Sequence, residues 1–206
     1  MVETGYVYVE APAKGRDQPL VFAFHGTGGD ETQLVPLAQR VWPDAAIISP
    51  RGDVSEHGAS RFFKRKAEGV YDFEDLELRR KAMAAFVSAQ KDRLSPARTI
   101  GLGYSNGANI LAAVAFAAPD LFDALVLMHP LIPWTPQDQP ELAKASVLIT
   151  AGRRDPICPP AQTAALERYF ERQGADIVVE WHEGGHELRP SEVEALLRWS
   201  ASRRRS

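Results

Sequence analysis

At 206 residues, with 45% hydrophobic and 25% charged side chains, the chain has an ordinary globular composition that excludes disorder and fibrous repeats. Its length suits a single domain over residues 1–206, with any cap domain tiny or absent. Twenty-four basic against 27 acidic residues give a net charge of −3, which offers nucleic acid or an anionic membrane no overall attraction.

No window approaches the ~18 apolar residues of a membrane span, so stable membrane insertion is not expected. The lone cysteine, Cys158, rules out an intramolecular disulfide and fits a reducing compartment. Met1 to Pro12 carries Glu3 and Glu10 and lacks a basic stretch followed by an apolar core, so no signal peptide is expected and the cytoplasm is the default location.

In chain order, Val7 to Glu10 and Pro19 to Phe24 read as strands, the second running into His25-Gly26-Thr27-Gly28-Gly29. A short helix is expected around Gln33 to Val41, then a strand at Ala45 to Ser49 closed by Pro50. Arg51 to Tyr71 has no clear period and three glycines, which marks it as an irregular segment and a candidate active-site loop. Asp72 can cap a helix that begins with Glu74 and Asp75 and runs to about Asp92. Strand and helix then alternate: Thr99 to Tyr104, a helix, Ala124 to Met128, Ser146 to Ala151, a helix from Pro160 to about Gln173, Ile177 to Trp181, and a helix from about Ser191 to Ser200. Runs such as Leu125-Val126-Leu127-Met128 lack polar alternation, as expected of strands buried on both faces. The order is α/β, with a mostly parallel sheet flanked by helices. Arg203 to Arg205 reads as a solvated basic terminus.

The chemistry centres on Gly103-Tyr104-Ser105-Asn106-Gly107, a G-x-S-x-G between an apolar strand and a helix-forming run. Such a nucleophile elbow strains the serine backbone, and residues without a Cβ on either side let strand and helix pass closely. A serine hydroxyl needs a base in reach and a third group to fix the base's tautomer. Asp155 and His186 follow in the order Ser, Asp, His, each just after an expected strand, where the loops of a parallel sheet converge. Read singly, these residues would be a helix cap, a turn former and a loop histidine; together and in order they read as a triad. The oxyanion donors expected are the N–H groups of Asn106 and Thr27. His25, Phe62, Phe63, His129, Trp134 and Cys158 are candidates for the substrate pocket, and Arg61 with the aromatic pair is a candidate cover for an acyl or aromatic group; packing is the competing reading for the aromatic pair, His129, Trp134 and Cys158.

His182-Glu183-Gly184-Gly185-His186 is a literal H-E-x-x-H, the zinc-peptidase pattern. That chemistry needs a helix to put residues i and i+4 on one face, and here the segment follows a strand and contains two glycines, each costing a helix about 0.8 to 1 kcal/mol. No metal and no cofactor is therefore expected.

On these motifs the chain resembles the phospholipase/carboxylesterase family of small α/β-hydrolases along nearly its whole length. His25 to Asp30 resembles that family's oxyanion loop, Gly101 to Asn109 its elbow, Asp155 to Pro159 its acid loop and Gly185-His186 its base. Stretches at Pro50-Arg51-Gly52, Arg61-Phe62-Phe63, Gly69-Val70-Tyr71-Asp72, Tyr104 to Asn109 and His129-Pro130 are similar to those of the bacterial hydroquinone-resistance, MhqD-like hydrolases. The resemblance implies a cofactor-independent serine esterase acting on a small-molecule ester, in a cytoplasmic setting linked to detoxification of aromatic compounds. An acyl-protein or acyl-CoA thioesterase, or a non-catalytic receptor on the same fold, are the alternatives. Dienelactone hydrolases are related but carry cysteine at the elbow, where this chain has serine. The sequence leaves the oligomeric state open.

Overall fold

The computed structural model describes residues 5–203, so the start of the N-terminal segment, and Arg204 and Arg205 of the basic terminus, lie outside the described residues. Seven strands form the central sheet: β1 (Tyr8–Ala11), β2 (Leu20–Phe24), β3 (Ala46–Pro50), β8 (Thr99–Tyr104), β9 (Ala124–Met128), β10 (Ser146–Gly152) and β11 (Asp176–His182). Their spatial order is β1-β3-β2-β8-β9-β10-β11; β1 runs antiparallel to β3 and every other pairing is parallel. The strand order reverses between β2 and β8. Loops leaving the carboxyl ends of these two neighbours therefore open onto one crevice.

Alternate strand residues feed two cores. Leu20, Phe22 and Phe24 of β2 join one cluster with α2 (Phe73–Leu94), α3 (Asn106–Ala117) and α4 (Pro160–Arg172). Val21 and Ala23 join the other, under α1 (Val35–Val41) and α5 (Pro190–Ser202). This is why the strands read as unbroken apolar runs. Helix α2 starts as expected, Asp72 Oδ1 accepting the Asp75 N–H at 3.2 Å with Glu74 and Asp75 in the first turn, and it ends at Ser95 in a left-handed conformation. Residues Ile110 to Val114 of α3 are 3% exposed or less, so the elbow helix is buried nearly all round against the sheet.

The segment Arg51 to Tyr71 departs from expectation. It is not irregular: it folds into two small hairpins, β4 (Val54–Glu56) with β5 (Ala59–Arg61), and β6 (Arg65–Ala67) with β7 (Val70–Tyr71). Strands of two or three residues carry too little periodicity to be read from sequence. Arg203 is also less solvated than expected, with its guanidinium 4.6 Å from the Trp199 ring centre and bonded to Asp176 at 2.5 Å. Among the described residues no helix is long and apolar enough to cross a membrane.

Candidate active site

At the end of β8 the chain turns sharply, and Ser105 takes φ 51° and ψ −117°, a conformation a residue with a side chain rarely adopts. The two elbow glycines explain how this is tolerated. A Cβ on Gly107 would lie 2.1 Å from the Phe24 carbonyl oxygen, and one on Gly103 would lie 2.7 Å from the Ala108 backbone. Backbone cannot yield there, so only glycine lets β2, β8 and α3 meet.

Ser105 Oγ stands 2.8 Å from Nε2 of His186, whose Nδ1 donates to Asp155 Oδ2 at 2.7 Å. The structure thus brings together the three residues singled out in the sequence, from loops after β8, β10 and β11. Gly152 makes the last two loops meet: a Cβ there would fall 2.1 Å from the Gly185 carbonyl oxygen, and Arg154 N–H donates to the Gly184 carbonyl at 2.9 Å. Asp155 is 4% exposed, yet each oxygen is satisfied, Oδ1 by the N–H groups of Ile157 (2.8 Å) and Cys158 (2.9 Å). Burial pushes this carboxyl up, but the Cys158 N–H and the hydrogen bonds of His129 and His186 outweigh it and hold Asp155 below its ordinary value.

Thr27 and Asn106 line the same cavity as Ser105, which has a volume of about 270 Å³. Asn106 is the first residue of α3, and a first-turn N–H has no intrahelical partner, so it is available to a developing oxyanion. The Thr27 loop is clamped from three sides. Gln33 Oε1 accepts the Gly26 N–H at 2.8 Å, Gly28 N–H donates to Ser60 O at 3.0 Å, and Arg61 Nη1 donates to Thr27 Oγ1 at 2.7 Å.

Of the other pocket candidates only Cys158 lines this cavity; it is 2% exposed, its Sγ donates to the His129 carbonyl at 3.2 Å, and burial pushes its thiol well above the ordinary value. The remaining five are corrected. Phe62 and Phe63 are 1% and 0% exposed and belong to the core, Phe62 edge-on to Phe24 and Phe63 edge-on to Tyr71, because the turn between the hairpins faces inward. His25 is a buried pin: its Nδ1 donates to the Gly26 carbonyl (2.7 Å) and its Nε2 accepts the Gly52 N–H (2.9 Å), while burial lowers its pKa. Trp134 packs against Phe73, Tyr71 and Phe116 and does not line the Ser105 cavity. His129 lies beneath Asp155 rather than on the cavity wall.

Other residues also contribute, and of these the sequence singles out Arg61 beside the aromatic pair. Arg61 and Arg65 reach the cavity from the hairpins, but Arg65 pairs with Glu56 and Glu68 and Arg61 lies 3.5 Å from Glu56, so the wall is polar without a net positive charge. Tyr104 lies against the His186 ring at 5.6 Å and donates its hydroxyl proton to the His186 carbonyl at 2.8 Å. Asn109 ties the Tyr71 hydroxyl (2.7 Å) to the Leu131 N–H (2.7 Å) behind the elbow. Tyr104 carries a sequence signal in its place inside G-x-S-x-G, and Arg61, Tyr71 and Asn109 in the stretches that resemble the hydrolase family; Arg65 carries none. The His182 to His186 segment is a strand end followed by a turn, so the helical register of a zinc peptidase is absent.

Residues 61–188 match the Dienelactone hydrolase family, a span that runs from Arg61 past His186. Over 188 residues the chain is 38% identical to the MhqD hydrolase of Bacillus subtilis (strain 168), covering 90% of this chain and 94% of that protein. Among solved structures, the protein Atu2452 of unknown function from Agrobacterium tumefaciens str. C58 is 48% identical with a TM-score of 0.91, 98% of each chain being covered. The Bacillus cereus carboxylesterase is 36% identical, also with a TM-score of 0.91, over 96% of this chain and 94% of its own. An α/β-hydrolase sheet, a family match over more than half the chain and near-complete coverage of a 38% identical relative agree: this chain belongs to the Dienelactone hydrolase family and is a hydrolase.

Proposed function

We propose that the protein is a serine carboxylesterase that cleaves small esters through an acyl-enzyme. The observation that carries this reading is the continuous line Ser105 Oγ, His186 Nε2, His186 Nδ1, Asp155 Oδ2, with gaps of 2.8 and 2.7 Å. His186 takes the Ser105 proton as Oγ attacks the ester carbonyl, Asp155 balances the imidazolium, and the Asn106 and Thr27 N–H groups hold the oxyanion. The proton then passes to the leaving alcohol or phenol. Water, activated by the same histidine, releases the acid. A cavity of about 270 Å³ with polar walls favours short acyl groups. The serine at the elbow, where dienelactone hydrolases carry cysteine, argues against dienelactone hydrolysis itself, and the likeness to hydroquinone-resistance hydrolases supports aromatic or quinone detoxification as the setting. A single buried cysteine is consistent with work in the cytoplasm.

The test is a panel of alkyl esters, aryl esters, thioesters and lactones, followed for a burst of leaving group. Turnover is expected to survive exhaustive chelation and to end on treatment with an organophosphate, leaving one adduct on Ser105. Faster turnover of thioesters would give the site to a thioesterase, and an unlabelled, inert protein would make it a receptor. Activity is also expected to fall as pH falls from neutral. Asp155, held below its ordinary value, stays ionised in this range, so protonation of His186 removes the base and lowers kcat/KM. A flat profile from about pH 5 to 8 in folded protein would remove His186 from that role.

A further inference from the structure

Behind Asp155 lies a second layer of ionisable side chains that the triad does not require. His129 is fully buried and has φ 51°, a strained backbone for a histidine that the surrounding fold must hold in place. Its Nδ1 stands 2.9 Å from Asp155 Oδ2, the oxygen that also receives His186 Nδ1, and its Nε2 stands 3.1 Å from Glu192 Oε1. Glu192 is 4% exposed and sits in the first turn of α5. Its Oε1 also accepts the Thr150 hydroxyl at 2.5 Å, and its Oε2 accepts the Arg189 N–H at 2.7 Å and faces His182 Nε2 at 3.4 Å.

The proton count in this layer follows from the donors. Every neighbour of Asp155 and of Glu192 other than the histidines is an N–H or O–H donor, so both carboxylates act as acceptors. His129 Nε2 has two neighbours, Glu192 Oε1 at 3.1 Å and His182 Nε2 at 3.4 Å; the shorter contact, to an acceptor, requires a proton on Nε2 while Nδ1 donates to Asp155, which makes the ring an imidazolium. His182 differs: its Nδ1 accepts the Gly184 N–H at 3.0 Å, so the ring proton sits on Nε2, toward Glu192. That tautomer also decides against a metal at His129, His182 and Glu192, whose ligand atoms lie within 4.8 Å of one another. A histidine that ligates through Nε2 keeps its proton on Nδ1 and donates it.

We propose that His129 is a positioning residue of the triad: an imidazolium clamped between Asp155 and Glu192, it fixes the carboxylate that orients His186 and shares that carboxylate's charge. This rests on the reading of Ser105, His186 and Asp155 as a hydrolytic triad. Burial of the ring opposes the charge, but the hydrogen bonds and charges of Glu192 and Asp155 outweigh it and raise His129 above its ordinary value. The ionisable groups facing it come from every packed element: Tyr104 of β8 edge-on at 5.9 Å, Asp155 and Cys158 after β10, His182 at the end of β11, His186 at 5.1 Å, and Glu192 of α5. With His129 uncharged, the full charge of Asp155 acts on His186 and a nearby positive charge is gone. Both changes favour protonated His186, so the acid limb of the rate profile moves to higher pH.

His129→Asn tests this, since asparagine tolerates a positive φ. The expected result is an acid limb of kcat/KM raised by about one pH unit, with kcat near neutrality down about tenfold, KM unchanged and activity partly recovered at higher pH. Nitrogen NMR of the wild type at pH 8 reports the same state without catalysis: one of the five histidines should have both ring nitrogens protonated, a signature absent from His129→Asn. A folded variant with the wild-type pH profile, or a wild type with no doubly protonated histidine at pH 8, overturns the proposal. A wild type that carries the imidazolium but cleaves no ester, thioester or lactone overturns the hydrolase reading, and the positioning role with it.

Discussion

Ser105→Ala is expected to lower ester turnover by roughly three to six orders of magnitude, with little change in melting temperature. The alanine keeps the Cβ and so the strained turn, and the hydroxyl it removes has His186 as its hydrogen-bond partner. His186→Ala should match it, because nucleophile and base act as a unit and removing either leaves only binding and the oxyanion donors. Asp155→Asn differs in kind. Turnover should fall about 10⁴-fold through the wrong histidine tautomer, as in trypsin-like triads. An amide NH₂ would also face the donors from Ile157, Cys158, His129 or His186, so a stability loss of roughly 1 to 3 kcal/mol should accompany it. Steady-state kinetics beside thermal melts separate the cases. Near-normal turnover by purified Ser105→Ala would end the nucleophile assignment.

The second large effect is on stability. Phe62→Ala is expected to cost about 3 to 5 kcal/mol, because it empties a fully buried site where the ring lies 5.7 Å from Phe24 and 4.6 Å from His25. For a chain of this length that lowers the melting temperature by on the order of 10 °C. The Phe62 N–H donates to Asn106 Oδ1 at 2.7 Å, so loosening this turn disturbs the elbow and should slow every ester in proportion. Preference among acyl groups should hold. A variant with wild-type stability and a changed acyl preference would return Phe62 to the pocket wall.

The α/β order was legible in the sequence because its evidence is local. Leu20 to Phe24, Leu125 to Met128 and Val147 to Ile149 are apolar runs of the kind a doubly covered strand requires, and Asp72, Pro96 and Pro160 mark helix ends through backbone chemistry that acts within a turn. The elbow was legible for the same reason, since Gly103 and Gly107 answer a steric demand set by their own neighbours. Asp155 and His186 could be picked by order because loops after parallel strands share one edge of the sheet.

What only the tertiary structure decided is where side chains from separate segments point. Phe62 and Phe63 have the composition of a substrate lid, yet the hairpins around them turn both rings into the core, and Arg61, Arg65 and Glu68 reach the cavity instead. His129 read as a candidate for the pocket wall with packing as the alternative, and Glu192 is an ordinary acid in the first turn of a helix. Their meeting depends on the register of β9, β10 and β11 and the docking of α5, contacts between residues 26 to 63 positions apart. Sequence carries the backbone's local demands; burial and hydrogen-bond partnership across such distances are products of packing, and they appear only once the sheet has closed over its helices.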